Sequence, residues 1–305
     1  MRATLRFFAW LFGALALFVA VSATIIFALS SRRLHHHFAV SVSALSVPHL
    51  PEAMARGRHI AGIRGCFACH GNDLGGGKVM DDPAMGRVYG PNLTTGRGGH
   101  GARLSNEDWV RAIRHGIGSD GHPLFIMPSK DYAELSDDDL GAVLAYIESA
   151  APVDRLVPEI SVGPVARMLL ATGKIRLSAE LIDHAGPPPA AHVTVEVSPE
   201  YGRYIASTCS GCHNPHFSGG KIAQGPPSWP PAANLTQGPG SALVGWSEAD
   251  FIRSIRTGTT PAGKIVNPVM PRAFGQMSDL ELKALWSFLL SLPPAATGKP
   301  AKVGI

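Results

Sequence analysis

Charge is scarce in this chain of 305 residues: Asp, Glu, Lys and Arg together make up 16%, with a formal net charge of +4. No run of Lys or Arg supplies the basic footprint that nucleic-acid binding needs, which argues against a DNA or RNA partner. Cysteine is scarcer still, at four residues. What is present in ordinary amount is apolar sequence, 45% of the chain, so a buried core is possible and the length allows a membrane segment with two small domains.

A long apolar stretch without charge lies between Arg6 and Arg32. Phe7 to Ser31 covers 25 residues, more than the roughly 20 that a spanning helix needs. A cleaved signal peptide usually has an apolar region of only about 7 to 15 residues. Val21-Ser22-Ala23 offers a cleavage site, yet the run continues through Ile25, Ile26 and Phe27, which favours a retained anchor. Basic residues flank both ends, so charge alone does not orient it.

All four cysteines fall in two pentads, Cys66-Phe-Ala-Cys69-His70 and Cys209-Ser-Gly-Cys212-His213. A four-cysteine zinc site would separate its pairs by about 15 to 20 residues, whereas here more than a hundred intervene. A redox dithiol would sit beside a βαβ pattern, which neither pair has, and disulfides would leave the repeated His unexplained. Covalent attachment of c-type haem uses every residue: two thiols for the vinyl groups and the adjacent His as proximal iron ligand.

The opposite face of each iron is the next question. Met80, Met85, His100, His115, His122 and Met127 are candidates in the first half, and His216, Met270 and Met277 in the second. An internal repeat selects among them. GRHIA (57–61) matches GRYIA (202–206), Asn92-Leu93-Thr94 matches Asn234-Leu235-Thr236, and SNEDWVRAIRHG (105–116) matches SEADFIRSIRTG (247–258). Met127-Pro128 then matches Met270-Pro271, and both intervals, 70 to 127 and 213 to 270, are 57 residues. No His candidate for the sixth position has a counterpart, although His122 is a rival in the first half. The expected axial pairs are therefore His70 with Met127 and His213 with Met270. A thioether raises the potential and fills the sixth site, which suits electron transfer and argues against chemistry on a substrate.

Helix punctuation repeats too. Ser105 and Ser247 are N-caps with Asp108 and Asp250 three residues on, while Gly116 and Gly258 stand where the helices end. Ser136 and Ser278 open a last helix in each half, and Pro51 and Pro199 a first one. Gly57 and Gly202 permit close helix approach, with Tyr146 and Phe288 as expected contacts. Residues 152–195 form a connector whose segment from Val165 to Ile182 carries Arg167, Lys174 and Arg176, too many charges to span a membrane. Its amphipathic character favours packing between the two halves over docking of a partner. His35-His36-His37 is expected to be a solvated turn. The two Asn-Leu-Thr sequences match the glycosylation sequon, but their place in the repeat suggests loops at the haem pocket, with Asn or Thr available to a propionate.

PNLT (91–94), SNEDWVRAIRHG and MPSKDYAELSDDDLGAVLAYI from Met127 resemble the cytochrome c subunits of periplasmic alcohol, gluconate and related dehydrogenases, over residues 50–150 and 196–294. The best-known members carry three haems; this sequence has two pentads. The resemblance implies an all-α fold: an N-terminal transmembrane helix, two tandem class I cytochrome c domains and a partly helical connector. The expected divisions are an anchor or signal peptide at 1–33, a linker at 34–49, domains at 50–151 and 196–295 separated by the connector, and a tail at 296–305. It also implies two haem c groups, an anchor in a bacterial inner membrane, and haem domains in the periplasm. The chain would be an electron-transfer protein rather than an enzyme. Its partners would be a dehydrogenase catalytic subunit, a terminal oxidase or a small carrier. A dihaem subunit of cbb-type oxidases is the second family resembled; a dihaem peroxidase, of a different class, would need one iron with an open site.

Overall fold

The structure, a computed structural model, describes residues 2–223, 225–226 and 228–301. Helix α1 (Arg2–Leu34) contains the long apolar run. It is long and apolar enough to cross a membrane, with a mean hydropathy of 2.5 in its most apolar window, and none of that window is buried in the protein; a signal sequence passes the same test. Residues 35–50 then follow the first domain in extended form. Val42, Leu45 and Val47 pack on its core, and the Asn106 side chain exchanges hydrogen bonds with both backbone groups of Leu45.

Each domain is built on the contact between its first and last helices, α2 (Pro51–Ile63) on α5 (Asp137–Glu148) and α7 (Pro199–Ala206) on α10 (Asp279–Ser291). Glycine makes both contacts possible. A Cβ on Gly57 would lie 1.9 Å from the Ala142 carbonyl oxygen, and one on Gly202 would lie 2.0 Å from that of Ala284. Phe288 joins the second contact as expected, whereas Tyr146 turns edge-on to Phe67, with ring centres 6.1 Å apart. The attachment pentads form short helices, α3 (Cys66–His70) and α8 (Ser210–His213). Helices α4 (Asn106–Val110) and α9 (Glu248–Thr257) start on complete capping boxes, and both chains turn at left-handed glycines, Gly116 and Gly258. Helix α4 widens into a π turn over Arg111–His115, a departure that α9 lacks.

The all-α expectation is corrected by a small antiparallel sheet in the order β1 (Gly77–Asp82), β2 (Gly86–Gly90), β3 (Ser161–Val162). Its hairpin is local chemistry: the Asp82 carboxylate accepts the backbone N–H of Ala84 at 2.9 Å and of Met85 at 2.7 Å, and Gly86 takes a φ of +112°. Strand β1 contains a register shift between Lys78 and Met80, so its sequence does not alternate cleanly.

The connector is partly helical, through α6 (Pro164–Ala171), and only its end lies between the two halves, where Val193 packs on the core of the second domain. The rest wraps the first domain. Asn92 and Thr94 hold Val153, strand β3 extends the sheet, α6 lies on α1, and the backbone N–H groups of Asp137 and Asp138 bond to the carbonyls of Ala190 and Ala191. Sequence amphipathicity shows that a face is covered, not by which neighbour.

Candidate haem sites

The two pentads are held alike. His70 Nδ1 donates to the Pro91 carbonyl at 2.9 Å and His213 Nδ1 to that of Ala233 at 2.8 Å, so each ring leaves Nε2 as its free nitrogen. Burial lowers the pKa of both imidazoles and favours the neutral ring, the form that can donate a lone pair to a metal. In the first domain, strand β2 lies directly on the pentad: a Cβ on Gly90 would sit 2.1 Å from the Cys69 carbonyl oxygen.

All four cysteines are unpaired, and burial pushes the Cys66 and Cys209 thiols up to about 11. Among the described residues no group of three or more His, Cys, Asp or Glu side chains is placed to hold a metal ion. Paired neutral thiols beside a His with its Nδ1 engaged suit thioether attachment of haem and not a thiolate metal site.

The two methionines have different settings. Met127 is half-buried and packs on the same core as Phe67 of the first pentad, and its carbonyl accepts from Ser178 Oγ at 2.8 Å. Met270 is also half-buried, at the end of a loop in which Ile265 is 70% exposed. The turns leading to them match: Leu124 N–H bonds to the Gly116 carbonyl at 2.7 Å, and Val266 N–H to the Gly258 carbonyl at 2.8 Å. Met277 is a core residue of the second domain, while Met80 lies in β1 and Met85 in the hairpin turn. His115 faces His184, with Nδ1 atoms 3.0 Å apart, His122 lies 3.1 Å from Asp120, and His216 is exposed.

Asn92 and Asn234 are buried and fully occupied. Each amide oxygen accepts from the backbone and hydroxyl of the Thr two residues on, and each amide nitrogen donates to the chain after the last helix, at Val153 and Ala295. These motifs are clasps that close each domain, with no capacity left for a propionate or a glycan.

The matched residues at position three of GRHIA and GRYIA make the interface between the domains, a role missed in the sequence. His59 reaches Glu281 on α10 at 2.9 Å, and the Tyr204 hydroxyl donates to Asp139 on α5 at 2.7 Å. Each domain's first helix thus grips the third residue of the other's last helix, a pseudo-two-fold arrangement. It explains a broken cap: Tyr204 Oη accepts the Ser136 N–H that would otherwise complete the box with Asp139, whereas Ser278 and Glu281 keep theirs. Arg64 Nη1 donates to Ser207 Oγ at 2.7 Å, and its charge favours the thiolate forms of both Cys66 and Cys209. Asp131, which follows Met127, would lie 3.4 Å from a Cβ on Gly211, so the second pentad abuts the first domain's methionine loop. Burial there raises the Asp131 carboxyl to about 6.

Residues 52–147 match the family described as cytochrome C oxidase, cbb3-type, subunit III, and residues 200–293 match cytochrome c. The chain carries two cytochrome c domains. They imply two covalently bound haem c groups, in a protein of electron transport. The chain is 28% identical over 272 residues to the fructose dehydrogenase cytochrome subunit of Gluconobacter japonicus, a match covering 81% of this chain and 54% of that protein. It is 27% identical over 292 residues to the cytochrome c subunit of the quinone alcohol dehydrogenase of Gluconobacter oxydans, with 86% and 59% covered. Against the gluconate 2-dehydrogenase cytochrome c subunit of Pantoea cypripedii the figures are 28% over 285 residues, with 83% and 63% covered. The chain spans 54% to 63% of the length of these relatives. They are named as cytochrome subunits, the electron-transfer parts of dehydrogenases.

Proposed function

We propose that this chain relays electrons between a periplasmic dehydrogenase catalytic subunit and a quinone or terminal oxidase, anchored in the bacterial inner membrane by α1. Cys66 and Cys69 would hold one haem and Cys209 and Cys212 the other, with His70 and Met127, and His213 and Met270, available to bind the two irons. A bound haem c supplies a reversible one-electron couple of its iron. The protein aims Nε2 of each His by engaging Nδ1, and a Met opposite would close the iron to small ligands. The observation that carries the relay is the adjacency of the two pentads, with Arg64 bonded to the residues before Cys209 and Asp131 beside Gly211. The names of the relatives support a dehydrogenase as donor.

Purification in mild detergent, with identification of what accompanies the chain, tests the partner; a co-purifying dehydrogenase is expected. The family matched by residues 52–147 favours a second reading, in which the partner is a cbb-type oxidase core, and that core would then co-purify. Optical spectroscopy tests the ligands. Ferric protein should show the weak near-infrared band of Met-ligated haem, and fast carbon monoxide binding to the reduced protein would overturn closed irons and reopen the peroxidase reading.

A further inference from the structure

Helix α6 touches α1 at a telling height. Arg167 donates to Ser30 Oγ and Ser31 Oγ, both at 3.1 Å, and its guanidinium lies 4.4 Å from the centre of the Phe27 ring. Arg33 reaches back to the Leu170 carbonyl and pairs with Glu180. The apolar run of α1 ends at Ser31, and at 1.5 Å per residue Phe27 lies about 6 Å inside that end. Whatever packs beside Phe27 therefore shares the level of the boundary between headgroups and acyl chains. In-plane amphipathic helices bury their apolar faces about 5 to 10 Å into that boundary.

The sides of α6 suit that level. Ala166 and Leu170 are fully buried, while Val165 and Met168 are 37% and 43% exposed. Exposed cations flank the helix, Arg32 at the end of α1 and Lys174 just past α6. Cations beside an apolar face suit an anionic headgroup layer.

We infer that α6 is a membrane-seating helix, with Val165 and Met168 in the lipid boundary and Arg32 and Lys174 among anionic headgroups. This rests on the reading of α1 as a spanning helix. It makes the first domain the membrane-proximal one, because Ser178 and Glu180, just past α6, hold the Met127 carbonyl and Arg33. The second domain then stands on the outward side of the interface formed by His59 and Tyr204.

The test uses the full-length haem-loaded protein in vesicles of phosphatidylcholine and phosphatidylglycerol, spin-labelled in turn at Met168→Cys, Val19→Cys and Val244→Cys. Relaxation by oxygen, which enters lipid, is compared with relaxation by a water-soluble nickel chelate. The oxygen-to-nickel ratio at 168 is expected to exceed that at 244 severalfold and to approach that at 19. A ratio at 168 equal to that at 244, with 19 still lipid-like, would overturn the seating helix and leave the anchor standing. A water-like ratio at 19 would remove the anchor and the inference with it. In oriented bilayers, unlabelled V165E/M168E protein should lose most of the linear dichroism of its haem bands, whereas unchanged dichroism would overturn the inference.

Discussion

The faces around Met127 and Met270 start from one template and end in different surroundings. Arg114 and Arg256 occupy equal places in the repeat and pair with Asp137 and Asp279, yet the Arg114 side chain is 6% exposed and that of Arg256 is 38%. Connector residues make the difference: Ala179 and Ser178 stand against Gly116, Ser178 binds the Met127 carbonyl, and His184 meets His115. Among the described residues the second domain has no such connector cover around Gly258, where Arg272 folds back to the Val266 carbonyl at 2.8 Å. A duplicated unit can thus keep its turns and ion pairs while what is laid over them changes how each copy meets the solvent.

The strongest way to break the comparison is to remove one cofactor at a time. Cys66→Ser with Cys69→Ser, or Cys209→Ser with Cys212→Ser, should each halve the haem per chain in a pyridine haemochrome assay; loss of both haems from either variant would mean that the domains do not assemble independently. Next come the glycines. Gly57→Ala and Gly202→Ala drive a methyl into a backbone carbonyl and should each cost about 3 kcal/mol or more, with similar falls in thermal midpoint. A large fall in only one would break the equivalence of the two helix pairs.

The methionines should then diverge. Met127→Ala and Met270→Ala should remove equal shares of the near-infrared band. Met127 is tied to the core, so its loss should also destabilise its domain by about 1–2 kcal/mol, and that of Met270 by less. Equal destabilisation would remove the distinction between a covered and an open loop.

The smallest effect separates the two halves of the interface. Bonding to Glu281 raises the His59 pKa, so its contribution is complete below the ordinary value near 6.5 and is lost as pH rises through the raised one. Glu281 is depressed below its ordinary 4.5: burial alone would raise it, but its bonds to His59 and Ser278 prevail, and its contribution is lost only as pH falls through the depressed value. The contact is therefore strongest at about pH 4.5 to 6.5. Tyr204 is pushed up to about 12 by burial, so its bond to Asp139 keeps its proton throughout the neutral range. Between pH 6 and 9 the wild type should lose about 0.5–1 kcal/mol of stability in denaturant titrations. His59→Gln should flatten that slope, and Tyr204→Phe should lower the whole curve by about 1 kcal/mol without changing it.

Much of the candidate site was legible because its chemistry is local. A Cys-x-x-Cys-His pentad keeps its ligands within one helical turn, and an N-cap serine carries its partner three residues away, so the pentads, the caps and the glycine at each helix crossing could be read directly. Other features depended on long-range partners. Asn92 looked like a pocket residue until Val153 was found beside it, and the hairpin at Asp82 hid behind a register shift. The roles of His59 and Tyr204 were not legible because their partners lie 222 and 65 residues away.

By itself the sequence determined two Cys-x-x-Cys-His pentads, their repeat and a spanning-length apolar helix, because each is written in residue type and short spacing. Only the tertiary structure decided that the domains face each other through exchanged grips, that the connector covers one methionine loop and leaves the other open, and that α6 meets α1 at the edge of its apolar run. Those outcomes depend on which surfaces meet, and burial between distant segments is set by the packing of the whole chain rather than by any stretch of it.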